Sequence, residues 1–69
     1  MIPLASSNLR AAGYAASSAR LTIHFRHGGV YEYQRVPPQI FQALLRAASP
    51  GGYFHASIKH TYPWRKVSR

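Results

Sequence analysis

Arg20-Leu21-Thr22-Ile23-His24-Phe25-Arg26-His27-Gly28-Gly29-Val30-Tyr31-Glu32-Tyr33-Gln34 is the stretch whose reading decides the fold. Leu21, Ile23 and Phe25 alternate with Thr22 and His24, a period of two that sets three apolar side chains on one face of a strand. Val30 to Gln34 is again rich in β-forming residues, and the glycine pair between the two runs marks a turn, so the segment predicts a hairpin over about 20–34. If Tyr31 and Tyr33 share the apolar face, Arg26 falls opposite Val30 and His27-Gly28-Gly29 forms the loop. Gly29 then supplies the left-handed residue that such a loop needs at its last position. The same register sets His24 opposite Glu32 on the outer face. A slip of one residue would bury Glu32 and expose both tyrosines, against the hydrophobic pattern.

Downstream, Val36-Pro37-Pro38 ends the strand, because proline removes ladder donors while Pro38 suits the first turn of a helix. A helix over Pro38 to Ala47 follows. Ile40, Phe41, Leu44, Leu45 and Ala48 form an apolar stripe, with Gln39, Gln42, Ala43 and Arg46 turned outward. Ser49-Pro50-Gly51-Gly52 reads as its stop. Tyr53, Phe54 and Ile58 have the spacing of a short second helix closed by Tyr62-Pro63. Trp64-Arg65-Lys66-Val67 reads either as a final strand or as a basic tail. Upstream, Leu9 to Tyr14 reads as a short strand interrupted or ended by Gly13, Ala15 to Ala19 as a connection, and residues 1–7 as a partly ordered lead-in. The expected architecture is α+β: a small antiparallel sheet covered by one main helix at about 38–47. Residues 8–69 form a single domain.

Composition narrows the function. Nine Lys and Arg face one acidic side chain, Glu32, for a formal charge of +8 on 69 residues. A surface carrying that surplus attracts polyanions or acidic protein faces through counterion release and steering. The scarcity of acids argues against catalysis, since neither a carboxylate pair nor an Asp orienting a catalytic His can be assembled from one Glu. With no Cys there is no disulfide and no thiolate metal site, so five Tyr, three Phe and one Trp must supply much of the buried area. A chain of this size buries only about 60% of its unfolded surface, so its core is thin. No apolar run approaches the roughly 20 residues that cross a bilayer, and the first residues lack the pattern of a secretory signal. The expectation is a cytoplasmic protein without membrane partners.

The order of signals resembles that of a known family: Gly13-Tyr14, the alternating strand, a Gly turn, Tyr31-Glu32-Tyr33, Val36-Pro37, an apolar helix, Ser49 before Gly and Tyr53-Phe54, then Ile58-Lys59 and Tyr62. In these features the chain resembles the KTSC domain family over roughly Ser7 to Val67. That domain is seen alone in small bacterial and phage proteins and at the C-terminus of some lysyl-tRNA synthetases. The resemblance implies RNA binding as an expectation. Two positions depart from the family pattern, Ala15 where Asp is common and His55 where Asn is common.

Lys59, His60, Arg65, Lys66 and Arg69 surround Tyr62 and Trp64, an interleaving that suits phosphate contact beside base stacking. The expected contact set is Arg26, Arg46, Lys59, Arg65, Lys66 and Arg69, with Arg35 and Arg10 as lesser contributors. Trp64 itself is expected in the core, since a small domain needs its largest side chain there. Tyr31 and Tyr33 are expected as core tyrosines in place of a base-stacking platform. Glu32 is expected to pair across strands with His24 or a nearby Arg. His24 and His27 fall on opposite faces of an extended chain, and His55 and His60 lie about 140° apart on a helix, so no metal site and no cofactor is expected. Gly28-Gly29 and Gly51-Gly52 lack a phosphate-loop continuation and read as turns. The leading functional expectation is a non-catalytic nucleic-acid-binding module, RNA before DNA. The competing one is a small basic factor, of phage type, that docks on an acidic surface of a host enzyme such as RNA polymerase.

Overall fold

In the computed structural model, which describes residues 1–68, five antiparallel strands follow one another in the order β1-β2-β3-β4-β5. The strands are β1 (Ile2–Pro3), β2 (Leu9–Ala15), β3 (Arg20–Phe25), β4 (Gly29–Tyr33) and β5 (Trp64–Ser68). Two helices, α1 (Pro38–Arg46) and α2 (Pro50–Ser57), fill the connection from β4 to β5. They cover one face of the sheet. Leu9, Ala12, Leu21, Ile23 and Tyr33 are buried from that face, and Leu44, Phe54 and Ile58 meet them from the helical side. Tyr14 stacks on Phe41 of α1 with ring centroids 5.3 Å apart, and its hydroxyl donates to the Val36 carbonyl.

The central hairpin keeps the predicted faces but pairs two residues out of the predicted register. Thr22, not His24, stands opposite Glu32, and His24 stands opposite Val30, where Arg26 was expected. Registers two residues apart bury the same side chains, so alternation cannot choose between them. The choice falls at the turn. The Arg26 amide donates to the Asn8 carbonyl at 3.0 Å and its Nε to the Ser6 carbonyl at 2.9 Å, which ties this residue to the N-terminal segment. Arg26, His27 and Gly28 therefore make the loop, and Gly29, with φ of 85°, opens β4 opposite Phe25. The positive φ foreseen at Gly29 is present, one place further along the hairpin.

One main helix with a short second one is not what forms. α1 spans nine residues and α2 eight, so the cover is shared nearly equally. α1 stops at Arg46, with Ala47 as its C-cap, and Ala48 is exposed. Ser49-Pro50-Gly51-Gly52, read as a stop, is also a start. The Ser49 side chain caps α2 by accepting from the Gly52 amide at 3.2 Å, and Pro50 takes the first helical position, where its missing N–H costs nothing. Gly51 is admitted because Ser6 Oγ lies 3.1 Å from where its Cβ would stand.

Residues 1–7, expected as a lead-in, belong to the sheet: Ile2 and Pro3 pair with Ala12 and Ala11, and Leu4 is buried. Ser6 Oγ accepts from the amides of Asn8 and Leu9, which fixes the turn into β2. Gly13 neither ends nor interrupts β2, which runs on to Ala15 with Met1 packed over the glycine. Trp64–Ser68 forms the last strand beside β4, and all five of its residues are exposed. No helix among the described residues is long and apolar enough to cross a membrane.

Candidate functional site

β5 reaches past the edge of the helical cover, and this overhang creates the site. α2 packs Phe54 against Phe25 and Tyr33 and ends at Ser57, while all five residues of β5 stay exposed. Between α2 and the β4–β5 side of the sheet opens a cleft of about 590 Å³. Its sheet wall carries Phe25, Tyr31, Tyr33 and Trp64, and its helical wall carries Phe54, His55, Lys59 and His60.

The rings form a continuous chain. Trp64 lies on Tyr31 with centroids 5.2 Å apart and planes tilted by 55°, Tyr31 meets Phe25 edge-on at 5.3 Å, and Phe25 meets Phe54 at 5.4 Å. Phe54 in turn meets Tyr33 edge-on at 5.4 Å. The inner members are core residues, while Trp64 is 55% exposed. The expectation of a buried Trp64 is thus overturned. β5 pairs Trp64 with Tyr33 at the sheet edge, beyond the reach of either helix. Tyr33 is buried as expected and Tyr31 half-buried at the cleft wall.

Cations stand around this aromatic wall. Lys59 lines the cleft, and Lys66 Nζ sits 5.8 Å from the Tyr31 ring centroid, within cation–π range. The turn after α2 brings His60 back to His55, with ring centroids 6.1 Å apart, an approach that a continuous helix would not give. Among the described residues no cluster of three His, Asp or Glu side chains gathers to hold a metal.

The expected contact set is not one patch. Lys59 lines the cleft, Lys66 stands outside the lining with its Nζ near the Tyr31 ring, and Arg26 is exposed in the β3–β4 turn beside the lining residues His27 and Gly28. Arg46 is exposed in the last turn of α1, outside the cleft lining. Arg65 points to the opposite face of the sheet, because alternation along β5 places it opposite Glu32. There its Nε lies 3.2 Å from Glu32 Oε1, while Arg20 approaches Oε2 at 3.7 Å. Of the partners expected for Glu32, His24 is displaced by the register shift and nearby arginines take its place. Arg69 lies outside the described residues. The single carboxylate side chain is therefore held between two arginines on the far face, and no acidic side chain lines the cleft.

Sequence reasoning missed His27, His55, Tyr31 and Trp64 as cleft residues. The available signal was Trp64-Arg65-Lys66 read as a strand: paired with β4, it would have set Trp64 and Lys66 on the same face as Tyr31 and Tyr33.

The KTSC domain profile matches residues 5–62. The chain belongs to the KTSC domain family. A crystal structure of a KTSC domain protein from Yersinia pestis superposes with a TM-score of 0.92 at 35% identity, over 94% of this chain and 92% of that one. An uncharacterized protein of Stutzerimonas stutzeri is 41% identical over 66 residues, covering 93% of both chains. A lysine–tRNA ligase of Nostoc sp. is 36% identical over 62 residues, which is 90% of this chain and 11% of the ligase.

Within this KTSC domain, burial changes the acid–base behaviour of Tyr33. Burial pushes its phenol from 10.0 up to about 12, and the neighbouring Tyr31 hydroxyl, when ionised, adds to the shift. Folding thus favours the neutral phenol. Its contribution to stability is complete below pH 10.0 and is lost as pH rises toward about 12. An alkaline absorbance titration is expected to show a phenolate step near pH 12 that vanishes in Tyr33→Phe. A wild-type curve without that step contradicts the burial of Tyr33.

Proposed function

We propose that this KTSC domain is a non-catalytic nucleic-acid-binding module of the cytoplasm, taking RNA in preference to DNA and holding phosphates through basic side chains. The observation that carries the reading is the company of Lys59 and Lys66: the exposed Trp64 and the half-buried Tyr31 in a cleft that no acidic side chain lines. A charge of +8 supplies long-range attraction, and the only acid is already held by Arg20 and Arg65. RNA is preferred because a lysine–tRNA ligase, named for its tRNA substrate, carries a relative of this chain.

A second reading draws on β5, the last strand in the order, whose outer side faces no other strand. A basic, exposed edge strand suits docking on an acidic face of a larger protein such as RNA polymerase. One paired experiment separates the two. Labelled mixed-sequence RNA and DNA are titrated with the protein at low salt, beside a pull-down from nuclease-treated bacterial lysate. Saturable binding with RNA tighter than DNA is the expected result. Stoichiometric recovery of one protein, with neither nucleic acid bound, overturns the proposal in favour of protein docking.

A further inference from the structure

We infer that the cleft between α2 and β5 accepts a single unstacked nucleotide of a single-stranded chain, its base against Trp64 and Tyr31 and its flanking phosphates on Lys59 and Lys66. This rests on the nucleic-acid reading above and adds to it a position, a strandedness and a stoichiometry.

The size of the cleft comes first. About 590 Å³ lies in the range of sites that enclose small molecules, and a double helix does not enter such a space. What enters is a monomer unit. Ring geometry then limits the unit to one base: Trp64 and Tyr31 are tilted by 55°, so they offer a wedge instead of a flat platform. A base that stacks on one ring meets the edge of the other, and a second stacked base finds no parallel face. Bases in a duplex keep their faces covered by their neighbours, so the wedge is open only to a strand whose bases are free to splay.

Charge placement agrees. Lys59 lines the helical side, and Lys66, outside the lining, holds its Nζ 5.8 Å from the Tyr31 ring centroid on the sheet side, so a backbone that enters and leaves the cleft meets a cation within it and another beside it. His55 and His60 lie on the helical wall as donors and acceptors for the base edge or sugar. Arg65, held by Glu32 on the opposite face, takes no part.

Trp64 is the only tryptophan, so fluorescence excited at the red edge, where the five tyrosines do not absorb, reports on this cleft alone. The experiment titrates the full chain with a mixed-sequence single-stranded RNA decamer, the same RNA annealed into a duplex, and adenosine 5′-monophosphate as competitor. Single-stranded RNA is expected to quench Trp64 saturably, the duplex to bind at least tenfold more weakly, and the mononucleotide at high concentration to quench Trp64 itself while displacing labelled RNA. By anisotropy of labelled RNA, Trp64→Ala weakens binding about tenfold, within the range of one base–aromatic stack. Trp64→Phe keeps most of the affinity, and Arg65→Ala stays within about threefold of the parent, both judged at unchanged melting temperature. Equal binding of duplex and single strand without a quench, or a Trp64→Ala variant as tight as the parent, overturns the cleft assignment while leaving nucleic-acid binding in place. No binding of either RNA at low salt overturns both.

Discussion

Phe54→Ala is expected to lower the melting temperature by on the order of 15–30 °C, a large change for a domain of this size. Phe54 is 3% exposed and meets both Phe25 and Tyr33 edge-on, so it joins α2 to β3 and β4 at once. Truncating a buried phenylalanine costs about 3–5 kcal/mol in lost transfer energy and residual cavity. In a domain of this length each kcal/mol moves the midpoint by roughly 4–8 °C. The core has little reserve, since ten buried hydrophobic residues form it and no disulfide supports it. Trp64→Ala removes a larger side chain, yet it is expected to shift the midpoint by only a few degrees, because Trp64 sits half in water at the sheet edge. Circular dichroism melts of the two variants test the ordering. A Trp64→Ala midpoint below that of Phe54→Ala would mean that β5, not α2, closes the core.

That contrast shows where the residues spoke plainly and where they did not. Leu21, Ile23 and Phe25 announced their face through alternation, and Tyr31 and Tyr33 joined it as read. The register between those strands was hidden, since pairings two residues apart bury the same set and the decision lay with Arg26 bonding to Ser6 and Asn8, far along the chain. Ser49 and Pro50 carry both a stop and a start signal, and only the cap to Gly52 reveals that α2 begins there. Trp64 misled for a third reason. Hydrophobic size predicts burial on average, but a strand added beyond the helical cover exposes whatever it carries. The cleft depends on that third fact, so its lining was the least legible part of the molecule. Lys59 and Lys66 were legible as cations, but their separation from Arg65 follows from β5 pairing with β4.

The separation has a measurable consequence in salt. If phosphates are held, as proposed, by Lys59 and Lys66 and, at the cleft mouth, also by Arg26, each contact on a single strand contributes about −0.7 to the slope of log K against log salt concentration, for a total of about −2. Raising salt from about 50 to about 200 mM is then expected to weaken binding about 20-fold. Lys59→Ala with Lys66→Ala removes two of the three contacts, so the slope is expected to shrink to about −0.7 and the low-salt affinity to collapse toward that of nonspecific attraction. Arg65→Ala changes neither slope nor affinity, because its guanidinium belongs to the Glu32 pair on the other side of the sheet. Anisotropy titrations across that salt range read both quantities. Were the Arg65 variant to lose the slope that the lysine variant keeps, the strand would lie on the polar face with Arg20 and Thr22, and the aromatic cleft would be the wrong side of the protein.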